Sequence, residues 1–148
     1  LDMFDRTHEM FELASGLMAD YRVYLLSNVG DLHWSLLQDR YRIHEVGHDA
    51  MASFLQGCMK PDPAIYDLVI NTAGVPACRI LFVGDTPAAD IDGPTRAGMR
   101  AMHIDNMLAL IVGGKADQDM RPHRERRDDR RQVGEQVSEW LAGNCTKA

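Results

Sequence analysis

The sequence predicts an α/β fold with a largely parallel sheet, because short apolar runs of strand type alternate with stretches of helical periodicity. RVYLLSN (22–28), RILFVGD (79–85) and RAMHID (100–105) are the strand runs. Helical spacing of apolar residues, bounded by capping residues, separates them.

In chain order, residues 8–20 form an amphipathic helix with Met10, Phe11, Ala14, Leu17 and Met18 on one face. The run 22–28 follows as a buried strand ending in turn formers. DLHWSLLQDRY (31–41) opens on Asp31, a suitable N-cap, and spaces Leu32, Leu36 and Leu37 for a second helix. A short strand is expected near Ala52–Leu55. PDPAIYDLVINTAG (61–74) carries the strongest helix signal: Asp62 as N-cap, Pro63 in the first position, Gly74 at the stop. After the strand at 79–85, a helix at 91–98 leads into the strand at 100–105.

The charged segment RPHRERRDDRR (121–131) opens a tail in which VGEQVSEWLAG (133–143) suits one short helix. Residues 117–142 hold six Arg against seven acidic residues, so a solvated tail fits better than a nucleic-acid arm. The core domain is therefore expected at 1–112 and the tail at 113–148.

Composition narrows the function. The chain has 148 residues, 45% apolar and 26% charged, enough for one cored domain. A formal charge of -6 argues against a general nucleic-acid binder but not against a small anionic substrate. No apolar run reaches the roughly 20 residues of a membrane span. Cys58, Cys78 and Cys145 are odd in number and widely spaced, so no disulfide framework and a cytoplasmic location are expected.

Three strand or helix ends carry chemistry, at the carboxyl edge where open parallel sheets bind ligands. Ser27 and Asn28 offer a hydroxyl and backbone N–H groups to a phosphate, although both residues also suit an ordinary turn. Lys60 stands at the mouth of the helix after Asp62, where an ammonium can offset charge on a phosphoryl oxygen; an exposed surface lysine is the plain alternative. Asp85 follows Gly84 at a strand tip and suits a hard divalent cation such as Mg²⁺. Asp90, five residues on, is either a second oxygen ligand or the N-cap of a helix starting at Ile91. His44 and His48 are four apart in HEVGH, but Gly47 between them disfavours the helix that would set both rings on one face, so no zinc site is expected.

The ordered set LLSN, KPDPAIY and LFVGDTPAADIDGPTRAGM resembles the second, third and fourth motifs of the haloacid dehalogenase superfamily, in its phosphatase-like branch with a helical cap. The resemblance covers residues 8–112. It implies a three-layer sandwich with a Rossmann-like, mainly parallel sheet. It implies Mg²⁺-dependent hydrolysis of a small phosphorylated metabolite through an aspartyl-phosphate. Ser27, Asn28 and Lys60 would bind the phosphate, Lys60 and Asp85 would act in catalysis, and Asp85 and Asp90 would hold the metal.

The first motif, DxDx(T/V) after an apolar strand, is missing. LDMFDRT spaces Asp2 and Asp5 as DxxD, with no strand before them and no room for a cap before Ser27. The chain is thus expected to be a fragment of a longer phosphatase or a truncated relative, with an incomplete core and no turnover by itself. A missing central strand would leave sheet edges open to self-association. Two rival readings stand beside it: a 2-haloacid dehalogenase, which attacks carbon without a metal, and a non-catalytic relative that binds a phosphorylated ligand or a partner.

Overall fold

A computed structural model of the protein describes residues 3–115 and Ser138. Its contacts divide the chain into two units, Leu1–Met59 and Lys60–Ala148.

In the first unit, α1 (Met3–Leu17) precedes β1 (Tyr24–Ser27), α2 (Asp31–Tyr41), α3 (Ile43–Val46), β2 (Asp49–Ala52) and α4 (Ser53–Gln56). β1 and β2 pair in parallel, from Tyr24 opposite Asp49 to Ser27 opposite Ala52. The second strand therefore lies earlier than Ala52–Leu55, and Ser53–Gln56 turns as helix. DAMA is too short to show a period, so the flanking residues could not fix its register. His48 extends the ladder: its backbone N–H donates to the Val23 carbonyl (2.8 Å), and its Nδ1 accepts from the Val23 N–H (3.0 Å). That ring nitrogen is thereby engaged in strand pairing.

Trp34, Ile43 and Ala52 form the centre of this unit's core, with Phe11, Leu25, Val29, Leu37 and Tyr41 packed around them. Phe11 stacks on Tyr41 with ring centroids 4.9 Å apart. α2 spans the expected residues but buries a different face. Trp34 is 7% exposed, whereas Leu32 and Leu36 are 73% and 59% exposed. A large indole contributes more apolar area than either leucine, and its burial sets the rotation of the helix. Gly30 rather than Asp31 occupies the N-cap, and Asp31 lies in the first turn, where its charge favours the helix N-terminus.

In the second unit, α5 (Pro63–Ala73) leads through a 3₁₀ turn (Ala77–Arg79) to β3 (Leu81–Gly84). A π-helical turn (Pro87–Asp92) and α6 (Gly93–Arg96) connect to β4 (Arg100–His103), and α7 (Ile104–Lys115) follows at once. β3 and β4 pair in parallel, with Gly84 opposite His103 at their carboxyl ends. The helix expected at 91–98 is thus split into a wider turn and a short α-helix, and the last strand stops at His103. α5 is capped as the sequence predicts: the Asp62 carboxylate accepts from the Ala64 N–H (3.0 Å), and Gly74 closes the helix. Its buried face, Ile65, Tyr66, Val69 and Ala73, shares this unit with the buried Ala89, Met99, Ile104 and Met107.

These elements make an α/β fold of helices and short parallel strands in two two-stranded sheets. The expected boundary near residue 112 falls within α7, and the tail helix at 133–143 and the Arg-rich segment lie outside the described residues apart from Ser138. Cys58 is a free thiol, but Cys78 is disulfide-bonded, so the cysteines are not all reduced as the sequence suggests. Among the described residues, no helix is long and apolar enough to cross a membrane.

Candidate active site

In the second unit, Lys60 is held rather than exposed. It stands two residues before the Asp62 cap of α5, and its ammonium donates to Asp90 Oδ1 at 2.5 Å. The same Nζ stands 5.5 Å from the centroid of the Phe82 ring on β3, within cation–π range. Only 11% of the Lys60 side chain and 5% of the Asp90 side chain are exposed. A buried ammonium requires such a partner, because desolvation of an unpaired charge is costly.

Asp90 also shapes the tip of β3. Its Oδ2 accepts from the backbone N–H groups of Asp85 (3.1 Å) and Thr86 (3.0 Å), drawing the chain into a tight return after the strand. Gly84 is needed for this, since a Cβ there would collide with the Asp90 carboxyl group. Asp90 therefore does not N-cap a helix starting at Ile91. It sits inside the π-helical turn and accepts from residues that precede it. Both of its oxygens are occupied by protein donors.

The consequence falls on Asp85. With its backbone fixed, its side chain stands exposed at the strand tip, and Thr86 Oγ1 donates to its Oδ1 at 3.2 Å. The structure thus brings Lys60, Asp90 and Asp85 together through one carboxylate.

The sequence reading missed two residues behind this arrangement. Tyr66, 1% exposed, donates its hydroxyl to the Ala89 carbonyl at 2.6 Å, tying α5 to the turn that carries Asp90. Gly93 makes room for it, because a side chain there would overlap the phenol. Burial pushes the Tyr66 pKa up and the nearby negative charge of Asp90 adds to this, while Arg96 opposes. The tyrosine in KPDPAIY was visible as a helix residue, but its partner lies 23 positions away.

In the first unit, Ser27 closes β1 and Asn28 follows it, as the sequence predicts. Ser53, 5% exposed and just past the tip of β2, donates to the Val29 carbonyl at 3.3 Å and steadies this loop. The lookalike Asp5 lies in the first turn of α1 rather than after a strand, and Asp2 is outside the described residues.

The HAD-hydrolase-like family model matches residues 57–130, half of the chain. The chain belongs to the HAD-hydrolase-like family. The chain is structurally similar to a HAD family enzyme from Bacteroides thetaiotaomicron, solved as the wild-type protein in complex with magnesium and inorganic phosphate. The TM-score is 0.58 at 25% identity, over 66% of this chain and 51% of that one. A dehalogenase solved with an intermediate complex gives 0.55 at 25% identity, over 62% of this chain and 40% of that one. This HAD-like chain thus spans about half the length of the Bacteroides enzyme. No curated protein matches it.

Asp85 offers an exposed carboxylate at a strand tip, a hard oxygen ligand for a cation that keeps several waters. Among the described residues, no group of three or more His, Cys, Asp or Glu side chains is placed to hold a metal ion.

Proposed function

We propose that this HAD-like chain carries the phosphate- and metal-binding half of a Mg²⁺-dependent phosphomonoester hydrolase acting on a small phosphorylated metabolite. The supporting observation is the link through Asp90, which holds the Lys60 ammonium with one oxygen and the backbone beneath Asp85 with the other. Asp85 would hold Mg²⁺, which when bound neutralises charge on phosphoryl oxygens. Lys60 would donate to one of those oxygens and offset charge as phosphorus is attacked. Ser27 and Asn28, at the tip of β1 in the first unit, would offer hydroxyl and N–H donors to a phosphate. Asp90 would set the positions of the other two and contact the metal only if its present bonds rearrange.

The nucleophilic aspartate that the family reaction requires is not supplied by Asp5, which lies on a helix. The 148-residue chain is therefore expected to bind Mg²⁺ and phosphate without turnover. Titration calorimetry with MgCl₂ and then inorganic phosphate, alongside hydrolysis of p-nitrophenyl phosphate, tests this. Binding lost in Asp85→Ala and no hydrolysis support the reading; hydrolysis by the purified chain that disappears in Asp85→Ala overturns the absence of turnover.

A dehalogenase is the second reading, favoured by the structural likeness to such an enzyme. Its chemistry has no use for a metal, so Mg²⁺ binding at Asp85, and loss of activity to EDTA in any active form of the protein, separate the two. A non-catalytic ligand-binding relative would retain the phosphate binding alone. Self-association through sheet edges is part of the proposal. Among the described residues each strand pairs on one side only, and sedimentation analysis would detect the resulting oligomer.

A further inference from the structure

We infer that His103 is a further ligand-contacting residue of the site at the β3 tip, presenting its Nε2–H to an oxygen of a bound phosphoryl group. This rests on the phosphatase reading and adds to it a donor outside the three motifs.

The placement comes from the sheet. β3 and β4 run in parallel, and Gly84 pairs with His103 at the last position of each strand. Paired strands lie about 4.8 Å apart, so His103 stands one strand spacing from the residue that precedes Asp85. Both are on the carboxyl edge, where open parallel sheets bind ligands. The imidazole keeps 35% of its surface exposed.

The chemistry comes from its other nitrogen. His103 Nδ1 accepts a hydrogen bond from the Asp105 backbone N–H at 3.2 Å. A backbone N–H can only donate, so a neutral ring that accepts this bond carries its proton on Nε2. The Asp105 carboxylate stands 3.5 Å from the same Nδ1, so the competing Nδ1–H form is the one the nitrogen spectrum must exclude. The bond at Nδ1 also caps the start of α7, which by itself would account for a histidine of purely structural value. Two substitutions separate these roles. Asn places an acceptor where Nδ1 lies and removes the distal donor. Gln places an N–H where Nε2 lies and removes the cap.

The experiment uses the 148-residue chain with Mg²⁺ and inorganic phosphate as the probe. Nitrogen NMR of the imidazole should show the Nε2–H tautomer and a shift of that nitrogen on phosphate addition. His103→Asn should weaken phosphate binding about tenfold, as for loss of one hydrogen bond to a charged group, and leave Tm in place. His103→Gln should keep affinity within about twofold and lower Tm, as for loss of a cap. The reverse pattern, or unchanged affinity in both variants while Asp85→Ala abolishes binding, overturns the role of His103 and leaves the phosphatase reading standing. Absence of phosphate binding by the unsubstituted chain, or binding that survives Asp85→Ala, removes the reading itself and this inference with it.

Discussion

The Lys60 ammonium and the Asp90 carboxylate meet at 2.5 Å with 11% and 5% of their side chains exposed. Removing one partner of such a pair strands the other charge in a poorly solvated place, which costs more than the pair itself contributes. Asp90→Ala should therefore lower unfolding free energy by about 3–5 kcal/mol in urea titrations. Asp90→Asn keeps an acceptor for the Asp85 and Thr86 N–H groups and strands only Lys60. Combined with Lys60→Met, it should recover most of the loss. Simple additivity of the two single effects would show that the pair is not coupled.

At the other side of the same turn, Gly93 and Tyr66 are interdependent. Gly93→Ala drives a methyl group into the Tyr66 phenol and should destabilise the fold by at least the roughly 1–3 kcal/mol typical of overpacking. Tyr66→Phe keeps the ring and removes the bond to the Ala89 carbonyl, at a cost of about 1 kcal/mol. Thermal melts of the two variants and their combination check this, and the alanine should do less harm when the hydroxyl is gone.

Tyr66 also sets a pH dependence. Its pKa lies above the ordinary 10.0 in the folded state because burial and Asp90 disfavour the phenolate. Above pH 10 the unfolded chain loses this proton first, so unfolding is favoured as pH rises. The stabilisation is fully present below the ordinary value and is lost as pH climbs through the raised one. Urea midpoints measured from about pH 8 to about pH 11 should fall more steeply for the native sequence than for Tyr66→Phe. Parallel curves would remove Tyr66 as the cause.

Asp85 should behave differently from its neighbour. Its side chain is exposed, so Asp85→Asn should change stability by less than about 0.5 kcal/mol. The same substitution should abolish Mg²⁺ binding in calorimetry. A variant that still binds the cation with native affinity would place the metal elsewhere.

What the sequence disclosed follows from how local each cause is. α5 was legible from end to end because its cap, its first-turn proline and its stop are neighbours in the chain. β1, β3 and β4 were legible as apolar runs bounded by turn formers, to within two residues at either end. β2 was misplaced because four residues give no period, and α2 was rotated because burial of Trp34 depends on what packs across from it. In the site, Lys60, Asp85 and Asp90 were found as motif residues, but the job of Asp90 was not. Its bonds to residues 60, 85 and 86 depend on the return of the chain after β3, which no spacing rule encodes. Tyr66, Gly93 and His103 were missed for the same reason: each matters through a partner brought near by the fold.

The neutral pairing of residue 60 has a bearing on kinetics. An approaching anion meets a dipole there instead of a lone positive pole, and a dipole's pull fades much faster with distance. Residue 60 should therefore contribute little to electrostatic steering, and substituting it should leave the ionic-strength dependence of anion association almost unchanged. Its influence begins only once the visitor is within touching range.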